Sequence, residues 1–167
     1  MSRKKQFTSL IILLIVGSAI LPIMPGFLIV EAKSDKPLKF IPSTNKTFTI
    51  MWRHSVEFQP WKESFKVDSN GLFTLTETRI RSYGAGVPDV EGKIVKNENG
   101  ILTIHGIERK MPYYSLFHSD HSSYTLIINK QKYSFVKFIP FNLSVKITYK
   151  RITLLQYIVL TITKRGA

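Results

Sequence analysis

Three titratable side chains crowd the segment WRHSVEFQPWKE, residues 52–63: His54, Glu57 and Glu63. An imidazole and two carboxyls are the groups from which general acid–base pairs and metal sites are built, provided they converge in a dry cleft. On a single extended strand His54 and Glu57 point to opposite faces, because side chains alternate with a period of two. They converge only if the strand bulges or turns, and Pro60 predicts a break near Phe58. A packing role is the competing reading. It sets His54 beside Trp52 and Val56 as a hydrogen-bonded core histidine and pairs Glu57 with Arg53 on the outer face. Residue physics alone favours packing.

A second stretch, RSYGAGVPD at residues 81–89, has the look of a phosphate loop. A dinucleotide fingerprint needs a third glycine between a strand and a helix start. Asp89 stands in that place, and the following VEGKIVK reads as another strand, so no helix N-terminus is offered to a phosphate. The nucleophile elbow G-x-S-x-G is absent too. What remains is a glycine-permitted turn whose backbone N–H groups can face an anion. His118, Asp120 and His121 in FHSDHSS match no established ligand spacing and read as a polar loop. His105, in ILTIHGI, reads as structural. The chain has no cysteine, which excludes disulfides, thiolate nucleophiles and Cys-built zinc sites.

The elements that must position these groups are mostly short β runs. TFTIMWRHSVEF alternates, with Phe48, Ile50, Trp52, His54, Val56 and Phe58 sharing one face and Met51 the exception on the other. Asn70-Gly71 and Asn99-Gly100 supply hairpin turns, and a third hairpin is expected around Asn129 to Gln131. NLSVKITYK and the uncharged ITLLQYIVLTIT, residues 152–163, are expected to close the chain as strands. No segment after the N-terminal apolar run shows a capped 3.6-residue period. The expected fold is all-β: an antiparallel sandwich or small barrel of about nine strands over residues 47–167.

The N-terminus sets the compartment. MSRKK precedes a run from Phe7 to Val30 without one charge, the pattern of a signal anchor or signal peptide over residues 1–32. As an anchor it is a single membrane-spanning helix, with the β domain on the extracytoplasmic side. A cut after Ala32 instead makes the product secreted or periplasmic. Residues 33–46, charged and broken by two prolines, read as a linker. Lys and Arg number 24 against 11 Asp and Glu, a formal charge of +13. Export disfavours nucleic acid, so this charge points to anionic lipid or a wall polymer.

Two segments taken together carry a resemblance. The first has the form H-S-V-E, then P, then E-x-F, in His54, Ser55, Val56, Glu57, Pro60, Glu63 and Phe65. The second is S-Y-G-A-G-x-P, in Ser82, Tyr83, Gly84, Ala85, Gly86 and Pro88. The pattern resembles the DUF1850 family, small exported bacterial proteins of unknown function often encoded beside TRAP transporters of the TAXI type. The resemblance implies a membrane-tethered binding or accessory domain whose partners are TRAP transporter subunits or a substrate-binding protein. It also implies one ligand-binding site built from His54, Ser55, Glu57, Glu63, Ser82, Tyr83, Gly84, Ala85, Gly86 and Pro88. It supplies no reaction and names no cofactor. The alternative is a metal-dependent or acid–base hydrolase using His54, Glu57 and Glu63.

Overall fold

A computed structural model describes residues 3–54, 58–81 and 94–162. Helix α1 (Arg3–Ile20) leads into β1 (Met24–Glu31), β2 (Pro37–Pro42), β3 (Thr47–Arg53), β4 (Pro60–Val67) and β5 (Phe73–Ile80). Then come β6 (Ile94–Glu98), β7 (Ile101–Met111), β8 (Tyr114–His118), β9 (Thr125–Ile128), β10 (Gln131–Ser134), β11 (Leu143–Ile152) and helix α2 (Leu154–Ile162). The strands form two antiparallel sheets, a four-stranded one in the order β2-β1-β11-β8 and a seven-stranded one in the order β10-β9-β3-β4-β5-β7-β6.

Alternation builds the core between them. Phe48 and Ile50 of β3, Trp61, Phe65 and Val67 of β4, and Phe73 and Leu75 of β5 are buried on the inner face of the larger sheet. Phe27 and Ile29 of β1, with Val145 and Ile147 of β11, close it from the smaller sheet. Phe27 meets Phe48 edge-on at 5.0 Å, and Phe48 stacks on Phe65 at 4.9 Å. Such pairs add about 1 kcal/mol each beyond their area. The three expected hairpins are present. Asn99 and Gly100 both take positive φ (53° and 75°), as do Asn129 and Lys130 (50° and 65°), the signature of the two-residue turn that matches strand twist. At the first hairpin Asp68 Oδ1 accepts from the N–H groups of Asn70 and Leu72.

Three expectations need correction. The apolar run from Phe7 to Val30 is not one helix: α1 stops at Ile20, and Met24–Glu31 is a strand paired on both edges, with β2 and β11. Among the described residues no helix is long and apolar enough to cross a membrane. The stretch read as linker contributes β2, so the sandwich begins well before Thr47. At the other end ITLLQYIVLTIT is no strand: β11 ends at Ile152 and α2 follows. Thr153 caps it. The Gln156 N–H donates to Thr153 Oγ1 (3.0 Å) and the Thr153 N–H to Gln156 Oε1 (2.9 Å), a reciprocal capping box. β8, from residues not assigned to a strand by pattern, completes the smaller sheet.

Gly26 lets β1 and β2 close. A methyl placed there would run into the Ile41 carbonyl and the Phe40 ring, both buried. Gly26→Ala is expected to lower the chemical denaturation midpoint by an amount equivalent to about 1–3 kcal/mol. Gly17→Ala in α1, where an added methyl meets nothing within 4 Å, serves as the control and should not lower the midpoint.

Candidate functional site

β4 delivers the central group. Its inward positions run Trp61, Glu63, Phe65, Val67, so strand alternation carries one carboxylate to the core face. Ile50 of β3 stands opposite Glu63 on one side and Thr78 of β5 on the other. Leu126 lies beyond Ile50, and Ile104 beyond Thr78. An acid thus occupies the middle of an otherwise apolar and hydroxyl row.

The opposing sheet supplies its partner. Tyr114 of β8 donates its hydroxyl to the Glu63 carboxylate across the sandwich. Burial holds the Glu63 carboxyl above the ordinary carboxylate range, and the Tyr114 bond and the charge of Arg109 offset only part of that. The same burial, reinforced by the Glu63 charge, pushes the Tyr114 and Tyr124 hydroxyls upward. Nearby polar atoms are not all used by the fold. Among the described residues Trp61 Nε1, Thr78 Oγ1 and both ring nitrogens of His118 are buried without a hydrogen-bond partner. Each such atom costs about 1–3 kcal/mol, a reason to look for a function.

His54 lies at the end of this face. β3 ends at Arg53 and β4 begins at Pro60, with the break where Pro60 predicted it. The Phe58 N–H donates to the His54 carbonyl and the His54 N–H to the Gln59 carbonyl, both at 2.9 Å. Phe58 takes φ 55° and carries an exposed ring under the Arg53 guanidinium at 5.1 Å. Phe58 therefore does not continue the inner face of β3, as the alternation predicted. The His54 ring stacks on Trp61 at 5.3 Å, Trp61 on Trp52 at 5.4 Å, and Trp52 on Tyr124 at 5.8 Å. Trp61 thus links the imidazole to the strand face that carries Glu63.

Of the expected site, the described residues are His54, whose ring stacks on Trp61, and Glu63, two positions beyond Trp61 on β4. Ser55, Glu57, Ser82, Tyr83, Gly84, Ala85, Gly86 and Pro88 lie outside the described residues. Among the described residues no three His, Asp or Glu side chains are grouped to hold a metal. The FHSDHSS trio separates. His118 is fully buried with its ring on Phe141 at 5.1 Å, while Asp120 and His121 face solvent and pair at 3.6 Å. His105 is on the outer face, its Nδ1 3.1 Å from Glu77. Tyr114, Tyr124, Thr78 and Trp61 had no place in the expected site. A carboxylate at an inward strand position was the readable signal for Glu63's surroundings; nothing local marks Tyr114, which comes from the other sheet.

A seven-stranded antiparallel sheet packed on a four-stranded one, with a tyrosine-held carboxyl between them, defines a β-sandwich domain with an internal polar site. No curated protein and no solved structure matches the chain. Residues 48–135, more than half of it, match the family described as "Domain of unknown function (DUF1850)", and the chain belongs to that family. The matched region runs from β3 to β10 and contains Trp52, His54, Trp61, Glu63, Thr78, Tyr114 and Tyr124. It leaves out α1, β1, β2, β11 and α2.

Two pH effects follow from burial. Because Glu63 is raised in the folded chain, it favours the fold below its unfolded value of 4.5, and that contribution is lost as pH rises through the folded value. Glu63→Gln keeps an acceptor for Tyr114 and removes the charge. It should therefore match or exceed wild-type stability at pH 8 and lose that advantage near pH 4, read by denaturant midpoints. His118 behaves oppositely. Its value is lowered by burial, so its contribution is complete above 6.5 and is lost as pH falls below that. His118→Phe should flatten the decline in midpoint between pH 7 and pH 5.

Proposed function

We propose that this protein is a non-catalytic, membrane-associated extracytoplasmic binding domain whose ligand site is the polar face around Glu63. The observation that carries the reading is the Glu63 carboxylate inside the sandwich, held by Tyr114 and set beside the unsatisfied Thr78 hydroxyl and Trp61 indole N–H. Two apolar residues in those places would stabilise the fold better, since buried charges are weak contributors to stability. A ligand that offers a cation or donor to Glu63, and acceptors to the indole and hydroxyl, restores the missing interactions. The rings of His54, Trp61 and Trp52 stack on one another, and Trp61 lies two positions from Glu63 on β4. The ligand class is a small polar solute rather than a polymer.

Membrane association rests on α1, in which the cations Arg3, Lys4 and Lys5 precede an uncharged stretch. An extracytoplasmic binding domain of this kind fits an accessory role in solute uptake, with subunits of a TRAP-type transporter as partners, as family membership suggests.

A thermal-shift panel of amines, amino acids, carboxylates and sugars on the detergent-solubilised full chain tests the site. A binding solute at 100 times its Kd stabilises by about 2.7 kcal/mol, a shift of a few degrees. Glu63→Gln and Trp61→Phe are expected to abolish that shift while retaining the fold. A solute shift that survives both substitutions overturns this placement, as does a panel with no responding solute.

A further inference from the structure

Helix α2 turns one side to the smaller sheet and the other to solvent. Tyr157 and Leu160 pack on the outer face of that sheet, over Leu28, Val30, Phe40 and Ile152, with the Tyr157 and Phe40 rings edge-on at 6.1 Å. The opposite side presents Leu155, Ile158, Val159 and Ile162, exposed by 57, 43, 51 and 64%. Their spacing of i, i+3, i+4 and i+7 is one continuous helical stripe. A water-facing helix normally puts charges there, but α2 contains none.

Cations bracket the helix instead. Between α2 and β11 runs a groove of about 830 Å³, floored by Leu28, Val30 and Ile152 and lined by Lys146, Lys150 and Arg151. Among the described residues of that lining Asp35 is the one acid, and it pairs with Lys146 at 3.5 Å. On the other flank Lys39 lines a smaller hollow with Leu160 and Thr161. The two helices also share a place. α1 leads into β1 at Met24, α2 leaves β11 after Ile152, those two residues are register partners, and the helices pack together. α1 exposes Phe7, Ile11 and Leu13. Nine residues of α2 span about 14 Å, too short to cross a core of about 30 Å.

We propose that α2 lies in the interface of an anionic phospholipid membrane, with its aliphatic stripe among the acyl chains and Lys150, Arg151 and Lys39 on headgroup phosphates. This assignment rests on the reading that the chain works at a membrane. It adds a second contact, which fixes the smaller sheet toward the bilayer. Apolar burial and surface charge act together in such helices, and the charge contribution weakens with salt.

Because the chain has no cysteine, a single introduced one reports locally. Full-length Ile158→Cys carrying an environment-sensitive fluorophore is reconstituted with vesicles of phosphatidylglycerol and phosphatidylcholine, or of phosphatidylcholine alone. The expected result is a blue shift, with quenching by acyl-chain spin labels, in the anionic vesicles. Lys150→Gln with Arg151→Gln should weaken that shielding roughly tenfold or more at low salt. Leu155→Glu should abolish it without changing the denaturation midpoint. A water-exposed label in anionic vesicles overturns the proposal. So does a label shielded without lipid in a particle of doubled mass, which would assign the stripe to a second copy. Leu13→Cys, labelled in parallel, separates the two readings. Shielding at 13 with exposure at 158 sinks the α2 proposal alone, and the reverse sinks anchoring through α1 alone.

Discussion

β1 is the strand on which the rest of the molecule depends, because it is buried on both faces and paired on both edges. Phe27 and Ile29 point inward to the larger sheet, while Leu28 and Val30 point outward beneath α2. β2 pairs with β1 along one edge, and β11 along the other from Met24–Ile152 to Glu31–Val145. β8 in turn pairs with β11. Thus the strand that holds Tyr114 over Glu63 is positioned by β11, and β11 by β1. The outer apolar face of β1 is also the floor on which α2 settles. One eight-residue segment therefore connects the N-terminal helix, the C-terminal helix and the polar site.

The site itself works against the stability of the fold. A carboxyl inside a sandwich loses hydration, and the tyrosine bond with the charge of Arg109 offsets only part of that loss. Orphaned groups at Thr78 and Trp61 add to the cost. The aromatic cluster of Phe27, Phe48, Phe65 and Phe73 lies next along the same strands. Stability is concentrated in one part of the sandwich and a polar, less satisfied face is left in another, a division expected of a domain that binds something. Both Glu63 and Tyr114 lie inside the family-matched region, whereas β1 and β11, which set the distance between their sheets, lie outside it.

How much of this was legible depended on whether the signal was local. The hairpins were, although the expected pair of positive φ angles holds only at Asn99-Gly100: at the first hairpin Gly71 alone takes it, and the third turn is Asn129-Lys130. The inner face of β3 was legible from alternation as far as Trp52, and the break before Pro60 from the proline. β1 was not. A strand buried on both faces reads as a continuous apolar run, and so does a membrane segment, so MPGFLIV beside LIILLIV merged into one apparent span. α2 was hidden by a related ambiguity. Its apolar residues lie on two sides, one on the sheet and one exposed, which erased the helical period even though Thr153 and Gln156 spelled out a capping box. His54 was expected in the core beside Trp52; it instead stacks on Trp61 just past the strand end, because the turn redirected the chain.

By itself the sequence determined the β class, the three tight turns, the basic surface, the lack of sulfur chemistry and the family. Each of these follows from residue type and short-range spacing. Only the tertiary structure decided that Met24–Glu31 is an interior strand, that the last apolar run is a helix lying on a sheet, and that Glu63 meets Tyr114. Those outcomes depend on what stands opposite a residue after the chain has folded. Strand pairing and sheet packing set this across separations of tens to more than a hundred residues, and no local pattern encodes the partner.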